Sequence, residues 1–147
     1  MEIRNKKGEL LNKATDPHFF SGLDLTSAVF EGMTLEGAHF DDCVLTDANF
    51  RHADLYWANF FRADLSGADF EGAQLRGADL KSADLTNANL RNANLGRDNV
   101  GGYTQLHGAN LVGAKLEKAN FESARYDADT HFPDNFDPVK HGMILDA

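Results

Sequence analysis

The sequence predicts an all-β chain that winds into a four-sided coil. Three observations support this prediction. A large apolar residue recurs at every fifth position along most of the 147-residue chain, a small residue usually stands two positions before it, and residues twenty positions apart share chemical character. Neither a helix nor a single strand keeps such a pattern on one side, so the chain must turn within every unit of five residues.

The large apolar residues of this pattern are called centres below. They are Phe20, Leu25, Phe30, Leu35, Phe40, Leu45, Phe50, Leu55, Phe60, Leu65, Phe70, Leu75, Leu80, Leu85, Leu90, Leu95 and Val100, followed after one extra residue by Leu106, Leu111, Leu116 and Phe121. The small residue is alanine without a break from Ala48 to Ala93. Asp or Asn usually separates it from the centre, which indicates a short extended triplet whose ends point inward and whose middle points outward.

A five-residue period excludes both regular structures. In a helix, five residues advance about 500°, so the centres would scatter around the axis. In a long strand, alternate centres would point to opposite faces. A corner after each centre satisfies the period, and glycine at the second corner position, as at Gly67, Gly72 and Gly77, suits such a turn.

Residues twenty positions apart favour four units in each coil. One such column alternates in charge and another carries hydroxyl groups; the two are Glu31, Arg51, Glu71, Arg91 and Thr26, Thr46, Ser66, Thr86. The phenylalanine centres separate in the same way into two opposite walls, Phe20, Phe40, Phe60 and Phe30, Phe50, Phe70. Each residue is therefore expected to stack on the residue twenty positions away.

Units such as Ala63-Asp64-Leu65-Ser66-Gly67 and Ala78-Asp79-Leu80-Lys81-Ser82 resemble the pentapeptide-repeat family, and the resemblance extends from about Phe20 to Tyr126. It implies a right-handed quadrilateral β-helix; the handedness comes from the resemblance alone. About five coils at a strand spacing of ~4.8 Å would form a rod roughly 25 Å long. We expect an N-terminal cap at 1–19, the repeats at 20–126 with an irregular bulge at 96–105, and a C-terminal cap and tail at 127–147.

Caps are expected because an open end of a β-coil invites polymerisation. Two short extended segments flank Lys6-Lys7-Gly8 and predict a hairpin that lays Ile3 over the first coil. At the other end Phe132 and Phe136 are expected to cover the last coil. Asp137-Pro138 marks the start of a short helical turn.

Composition excludes several classes of partner. The net charge is −9 and the pI is about 4.9, which argues against direct binding of nucleic acid and against an anionic membrane surface. Cys43 is the single cysteine, so no intramolecular disulfide forms. The first residues lack the apolar run of a signal peptide, and no segment has the length of a membrane span. These features predict a cytoplasmic protein.

No catalytic pattern stands out. The six histidines have no partners at metal-site spacing, and no nucleophile elbow or phosphate loop is present. The aspartates follow the outward position of the coil, which favours a hydrogen-bonding face over general acids. We therefore expect no catalytic residue, no metal site and no cofactor.

Two features offer a binding site. Tyr56, Trp57 and Phe61 are aromatic residues at corner positions, with Arg62 beside them. Exposed clusters of this kind mark protein-binding surfaces, but these rings could instead pack flat on glycine corners, because Gly37 and Gly77 share the column of Trp57.

The second feature is the bulge at 96–105. Asp98 falls in an alanine position there, and because a buried unpaired carboxylate is costly, we expect the chain to loop out. The segment is then either a tolerated bulge or a recognition loop that carries Arg97 and Tyr103.

Three functions remain open, of which the third is a purely structural or stress-related role that no feature of the sequence tests. The first is a non-enzymatic scaffold that binds a protein partner through rigid faces, expected as a monomer with a dimer as the alternative. The second is implied by the resemblance, since the quinolone-resistance branch of the family mimics DNA: an inhibitor of a type II topoisomerase such as DNA gyrase. The net charge agrees with mimicry, whereas the alternating Glu and Arg column neutralises one wall.

Overall fold

The walls of the coil consist of single β-bridges. The computed structural model describes residues 1–13, 16 and 18–147; Ala14, Thr15 and Pro17 of the predicted segment 1–19 lie outside the described residues. Parallel bridges join residues 20 apart, as in Val44 to Asp64 and Asp64 to Asp84. Each coil therefore contains four five-residue units.

The four walls are named here by one centre each. The Phe60 wall holds Phe20, Phe40, Phe60, Leu80 and Leu106; the Leu65 wall holds Leu25, Leu45, Leu65, Leu85 and Leu111; the Phe70 wall holds Phe30, Phe50, Phe70, Leu90 and Leu116; the Leu75 wall holds Leu35, Leu55, Leu75, Leu95 and Phe121. Only Leu116 among these centres is not fully buried.

Each unit closes its corner with a repeated set of hydrogen bonds. In the unit Ala53–Trp57, the Leu55 N–H donates to the Gln74 carbonyl of the next coil (2.8 Å) and the Trp57 N–H to the Arg76 carbonyl (3.0 Å). The Tyr56 N–H donates to Oδ1 of Asp54 (3.2 Å). The outward Asp or Asn thus satisfies a corner N–H, which explains its recurrence without any catalytic role.

The interior is filled by stacked rings and methyl groups. Phe40 lies parallel to Phe60 at a centroid distance of 5.0 Å, and Phe50 lies parallel to Phe70 at 5.0 Å. Rings of adjacent walls meet edge to face, as Phe50 and Phe60 do at 5.6 Å. Each buried centre contributes about 1.5–3 kcal/mol, and the alanine positions leave the space that these rings occupy.

The predicted charge column forms an ion-pair ladder on the Phe70 wall. Arg51 lies 2.8 Å from Glu71 and 3.1 Å from Asp69, and Arg91 lies 3.3 Å from Glu117. These side chains are partly exposed, so each pair adds little to stability. Their main effect is to neutralise this wall.

The N-terminal end is a two-stranded hairpin. Strand β1 (Glu2–Arg4) pairs antiparallel with β2 (Leu10–Lys13). Ile3 is fully buried, and the Val29 N–H donates to the Arg4 carbonyl (2.8 Å). The hairpin therefore pairs with the first coil on its outer edge.

At the C-terminal end the ladder extends into the last twenty residues. Strand β3 (Arg125–Tyr126) pairs parallel with β4 (Ile144–Leu145), and His131 bridges Asn110. A 3-10 helix spans Val139–His141. The Phe136 ring packs edge to face on Phe121 at 5.5 Å, and Phe132 also contacts the core.

One centre predicted from the sequence is wrong. Val100 is 74% exposed, and its place above Leu80 is taken by Leu106, because Asp79 bridges Gln105. These two residues are 26 apart, six more than in the regular coil. Six residues, one five-residue unit and one more, therefore lie outside the wall. Every later centre stays in register with the coil before it because these six residues leave the wall together.

We predict that Phe60→Asp prevents folding. The substitution places an unpaired carboxylate in a fully buried position, at a cost above about 4 kcal/mol. Asn59→Asp is the matched control, because position 59 points outward and Asp79 occupies the same place in the next coil. Far-ultraviolet circular dichroism and thermal melting check both proteins. A soluble Phe60→Asp protein with the wild-type melting transition would contradict the inward assignment.

Candidate protein-binding surface

Tyr56 and Trp57 form the corner between the Leu75 wall and the Phe60 wall. Their rings stack at 5.1 Å with an interplanar angle of 15°, and Trp57 remains 50% exposed. The indole lies over Gly77 of the next coil, where an added Cβ would collide with Cδ1 and Nε1 of the ring. A Cβ added at Gly37 would meet no atom within 4 Å. The ring is thus both packed on a glycine corner and open to solvent.

The indole is held in this place by Asp98. Nε1 of Trp57 donates to Oδ2 of Asp98 (2.7 Å), while the N–H groups of Val100 and Gly102 donate to Oδ1 (2.8 and 2.7 Å). Asp98 is 5% exposed. The expectation that Asp98 loops out is therefore wrong: the residues after it leave the wall, and the carboxylate stays because three donors satisfy it.

The titration of this cluster follows from its contacts. Desolvation opposes ionisation of Asp98, but the hydrogen bonds from Val100, Trp57 and Gly102 outweigh it and lower the pKa of this carboxyl. Burial raises the pKa of the Tyr56 hydroxyl, and the Asp98 carboxylate raises it further. At neutral pH the cluster therefore contains a carboxylate and a neutral phenol.

A polar rim surrounds the aromatic pair. The Arg76 guanidinium lies 5.7 Å from the centroid of the Tyr56 ring, a cation–π contact. A shallow groove beside it is lined by Glu36, Asp54, Tyr56, Gln74, Arg76 and Asn99. The apolar rings are thus flanked by groups that form hydrogen bonds and ion pairs.

Phe61 and Arg62 stand at the other edge of the Phe60 wall. Phe61 is 38% exposed, and its N–H donates to Oδ1 of Asn59 (2.9 Å). Arg62 forms an exposed ion pair with Asp42 at 3.2 Å. The structure therefore divides the predicted patch into two edges of one wall and does not bring all four side chains into a single cluster.

The two predicted loop residues differ in their surroundings. Arg97 is exposed, and its N–H donates to the Glu122 carbonyl (3.2 Å). The Arg125 guanidinium lies 4.2 Å from the centroid of the Tyr103 ring and is held by Asp146 at 2.6 Å. Tyr103 is thus packed against the wall, whereas the Arg97 side chain faces solvent.

Sequence reasoning did not find the Asp98 contact with Trp57. Two signals in the chain indicate it. Trp57, Gly77 and Arg97 form one column of residues twenty apart, and Asp98 is the next residue. Gly102 is the second signal, since an added Cβ there would collide with Oδ2 of Asp98.

Other reactive groups offer no site. Across residues 1–13, 16 and 18–147, no group of His, Cys, Asp and Glu side chains is arranged to hold a metal ion. Cys43 is buried with Sγ 2.9 Å from the Phe20 carbonyl, and burial raises the pKa of its thiol to about 11. No helix in the described part of the chain is long and apolar enough to cross a bilayer.

Comparison with known proteins agrees with this architecture. Eight copies of the pentapeptide repeat match residues 24–60, 58–97 and 103–125. The chain belongs to the pentapeptide-repeat family. Proteins of this family form right-handed quadrilateral β-helices and are non-enzymatic scaffolds, and this pentapeptide-repeat protein is likewise not an enzyme. The matched segments leave out residues 98–102, where the loop leaves the wall.

Solved structures of pentapeptide-repeat proteins resemble this one. A protein from the cyanobacterium Cyanothece 51142 is 32% identical with a TM-score of 0.61, over 67% of this chain and 63% of its own. One from the Arabidopsis thaliana thylakoid lumen is 33% identical with a TM-score of 0.54, over 67% and 68%. One from Nostoc PCC 7120 is 31% identical with a TM-score of 0.50, over 88% and 85%. No curated protein matches the chain.

We predict that Gly77→Ala displaces the Trp57 ring, whereas Gly37→Ala does not. Both glycines have positive φ, 72° and 68°, so both substitutions share a backbone cost of about 1–2 kcal/mol. Only the Cβ at position 77 collides with the indole and breaks its bond to Asp98. Tryptophan emission should shift to longer wavelength, and iodide quenching should rise, in Gly77→Ala alone. Equal emission from the two variants would contradict the packed position of the ring.

Proposed function

We propose that this pentapeptide-repeat protein is a rigid scaffold that binds a protein partner on the Phe60 wall. The docking surface consists of Tyr56, Trp57, Phe61 and Arg62 together with the loop at 96–105, which presents Arg97 and Tyr103. The observation that carries the proposal is the half-exposed indole of Trp57, fixed by the buried carboxylate of Asp98.

Rigidity is the physical advantage of this surface. Association is opposed by the ordering of side chains, at about 0.5–1.5 kcal/mol for each immobilised flexible side chain. The stack with Tyr56, the contact with Gly77 and the bond to Asp98 already fix Trp57 before any partner binds. Aromatic residues and arginine also carry much of the energy at measured interfaces.

Charge restricts the partner. The chain carries a net charge of −9, and Glu36, Asp54 and Asp42 stand near the aromatic edges. A partner with an apolar socket and a neutral or basic rim would complement this surface. We therefore propose a protein partner, with no direct binding of nucleic acid or membrane.

We further propose that residues 1–19 and 127–147 cap about five coils formed by 20–126 and keep the protein monomeric. Ile3 over the first coil and Phe136 on Phe121 support capping. We propose a cytoplasmic location, consistent with the unpaired Cys43. The relative from the thylakoid lumen indicates that this fold also serves in another compartment.

We predict that Trp57→Ala combined with Phe61→Ala abolishes partner capture without loss of the fold. Removal of two central aromatic contacts should weaken binding by at least about tenfold. The control is Val44→Ala with Val112→Ala, which removes two exposed apolar side chains from the Leu65 wall. The full chain is immobilised, and captured proteins from native extract are identified by mass spectrometry. A partner retained by wild type and control but lost by the aromatic variant supports the surface; equal capture by all three contradicts it.

The second candidate, DNA mimicry at a type II topoisomerase, has one supporting observation. The outward and corner positions of the Leu65 wall carry Asp24, Asp47, Asp64 and Asp84 but no Lys or Arg. The adjacent Phe70 wall is neutralised by Arg51 and Arg91. We rank this function second because the negative array is confined to one wall.

We expect no inhibition of DNA gyrase supercoiling at micromolar protein. Inhibition that weakens in Asp64→Asn with Asp84→Asn would promote the DNA-mimic function over the scaffold. These substitutions remove charge but keep the Oδ1 atoms that accept the Ser66 and Thr86 N–H groups. Asp69→Asn is the control, because Asp69 is already paired with Arg51.

A further inference from the structure

The Phe70 wall ends in an unpaired β-edge at the C-terminal end of the coil. In its preceding unit, Leu90 N–H donates to the Lys115 carbonyl (2.8 Å) and Asn92 N–H to the Glu117 carbonyl (3.2 Å). The Ala88 carbonyl accepts from Lys115 N–H (2.9 Å). A further coil stacked on the last one would form the same three hydrogen bonds.

The corresponding groups of the last unit have no partner in the described part of the chain. They are the N–H groups of Leu116 and Lys118 and the carbonyl of Ala114. The other walls are covered: Leu106 N–H donates to the Arg125 carbonyl and Leu111 N–H to the His131 carbonyl.

The Leu75 wall is covered in a different manner. Ser123 N–H donates to the Gly142 carbonyl (2.9 Å), and the Phe136 ring lies on Phe121. The Phe70 wall therefore presents a complete set of free ladder groups within the described residues, whereas on the Leu75 wall the N–H of Ser123 is already bonded.

A groove with a mixed polar and apolar lining adjoins this edge. Its apolar lining is Ala114, Leu116, Ala119, Pro133 and Phe136. Leu116 and Ala119 are only partly buried, whereas Leu90 and Ala93 one coil below are fully buried. The edge therefore lacks both the hydrogen bonds and the apolar cover of one further unit.

The charged residues that line the groove are Glu117, Lys118 and Asp134, so its charge is mixed, and the cations at the edge itself are Lys115 and Lys118. Lys115 occupies the outward position and Lys118 the corner; both are exposed, and neither forms an ion pair with a described residue. Glu117, between them, is already paired with Arg91 at 3.3 Å. An occupant with a carboxylate over Lys115 would match this pattern.

We propose that this edge binds an extended peptide from a partner protein, in which one acidic residue is flanked by two apolar residues, as an added parallel strand. The N–H of the acidic residue donates to the Ala114 carbonyl, and its carbonyl accepts from Leu116 N–H. Its carboxylate lies over Lys115. The flanking apolar side chains point into the groove against Leu116 and Phe136.

A second copy of the chain fits this edge poorly. On the same wall, the N-terminal edge at Val29 is occupied by the hairpin, because Val29 N–H already donates to the Arg4 carbonyl. Antiparallel pairing of two C-terminal edges would place Lys115 of one copy beside Lys115 of the other, and like charges across a ladder are destabilising. A separate acidic–apolar peptide avoids both conflicts.

The test is a titration of the isotope-labelled full chain with the synthetic capped peptide GADLSG, followed by proton–nitrogen NMR. Saturable shifts are expected at the amides of Leu116 and Lys118. N-methylation of the aspartate, or its replacement by lysine, should weaken binding by at least about tenfold. Lys115→Glu should reverse the preference between the aspartate and lysine peptides. The variant Trp57→Ala with Phe61→Ala should bind as wild type, because its substitutions lie on another wall.

Several outcomes would overturn the proposal. These are the absence of saturable shifts at the two amides, equal binding of the N-methylated peptide, and loss of binding in the aromatic variant. Shifts at Leu116 and Lys118 that appear on concentrating the protein without peptide would assign the edge to a second copy instead. Failure of partner capture by the aromatic surface leaves this titration unaffected, so the two proposals are tested separately.

Discussion

The ladder between residues twenty apart is the constraint on which the rest of the structure depends. Each unit hydrogen-bonds to the same position of the next coil, so a change of length anywhere shifts every later centre unless the added residues leave the wall. The loop at 96–105 meets this condition, because Leu106 takes the place above Leu80. The same constraint makes the C-terminal edge of the Phe70 wall conspicuous, since one unit there lacks its successor.

The ladder also determines where function can reside. Inward positions are committed to packing, and the outward Asp or Asn of most units satisfies a corner N–H, as Asp54 does for Tyr56. Corner side chains are the least constrained, and Trp57 and Phe61 occupy corners. Asp98 makes one corner different from the others, because its carboxylate binds the indole of Trp57 and so ties this corner to the loop at 96–105. A uniform scaffold thereby acquires a distinct surface.

Periodicity predicted the inward positions because the ladder repeats the same local geometry at every unit. It failed at Val100, where the five-residue spacing continues through a loop, and local spacing does not distinguish a unit in the wall from one outside it. It also missed the bond between Trp57 and Asp98, which are 41 residues apart. A buried carboxylate is costly only when it has no partner. Asp98 does not meet this condition, because three donors in the folded chain form hydrogen bonds with its carboxylate.

The NMR signal of the Trp57 indole N–H tests the central claim most directly, because the chain has one tryptophan. Hydrogen bonds lower the pKa of Asp98 in the folded protein, below a value of about 3.9 when unfolded. The stability that ionised Asp98 contributes to folding is therefore fully present above the unfolded pKa and is lost as the pH falls through the folded pKa, at which the bond from the indole to the carboxylate is also lost. We predict slow exchange of the indole proton at neutral pH, a shift on acidification, and no such shift in Asp98→Asn. Exchange at the rate of a free indole at neutral pH would contradict the account.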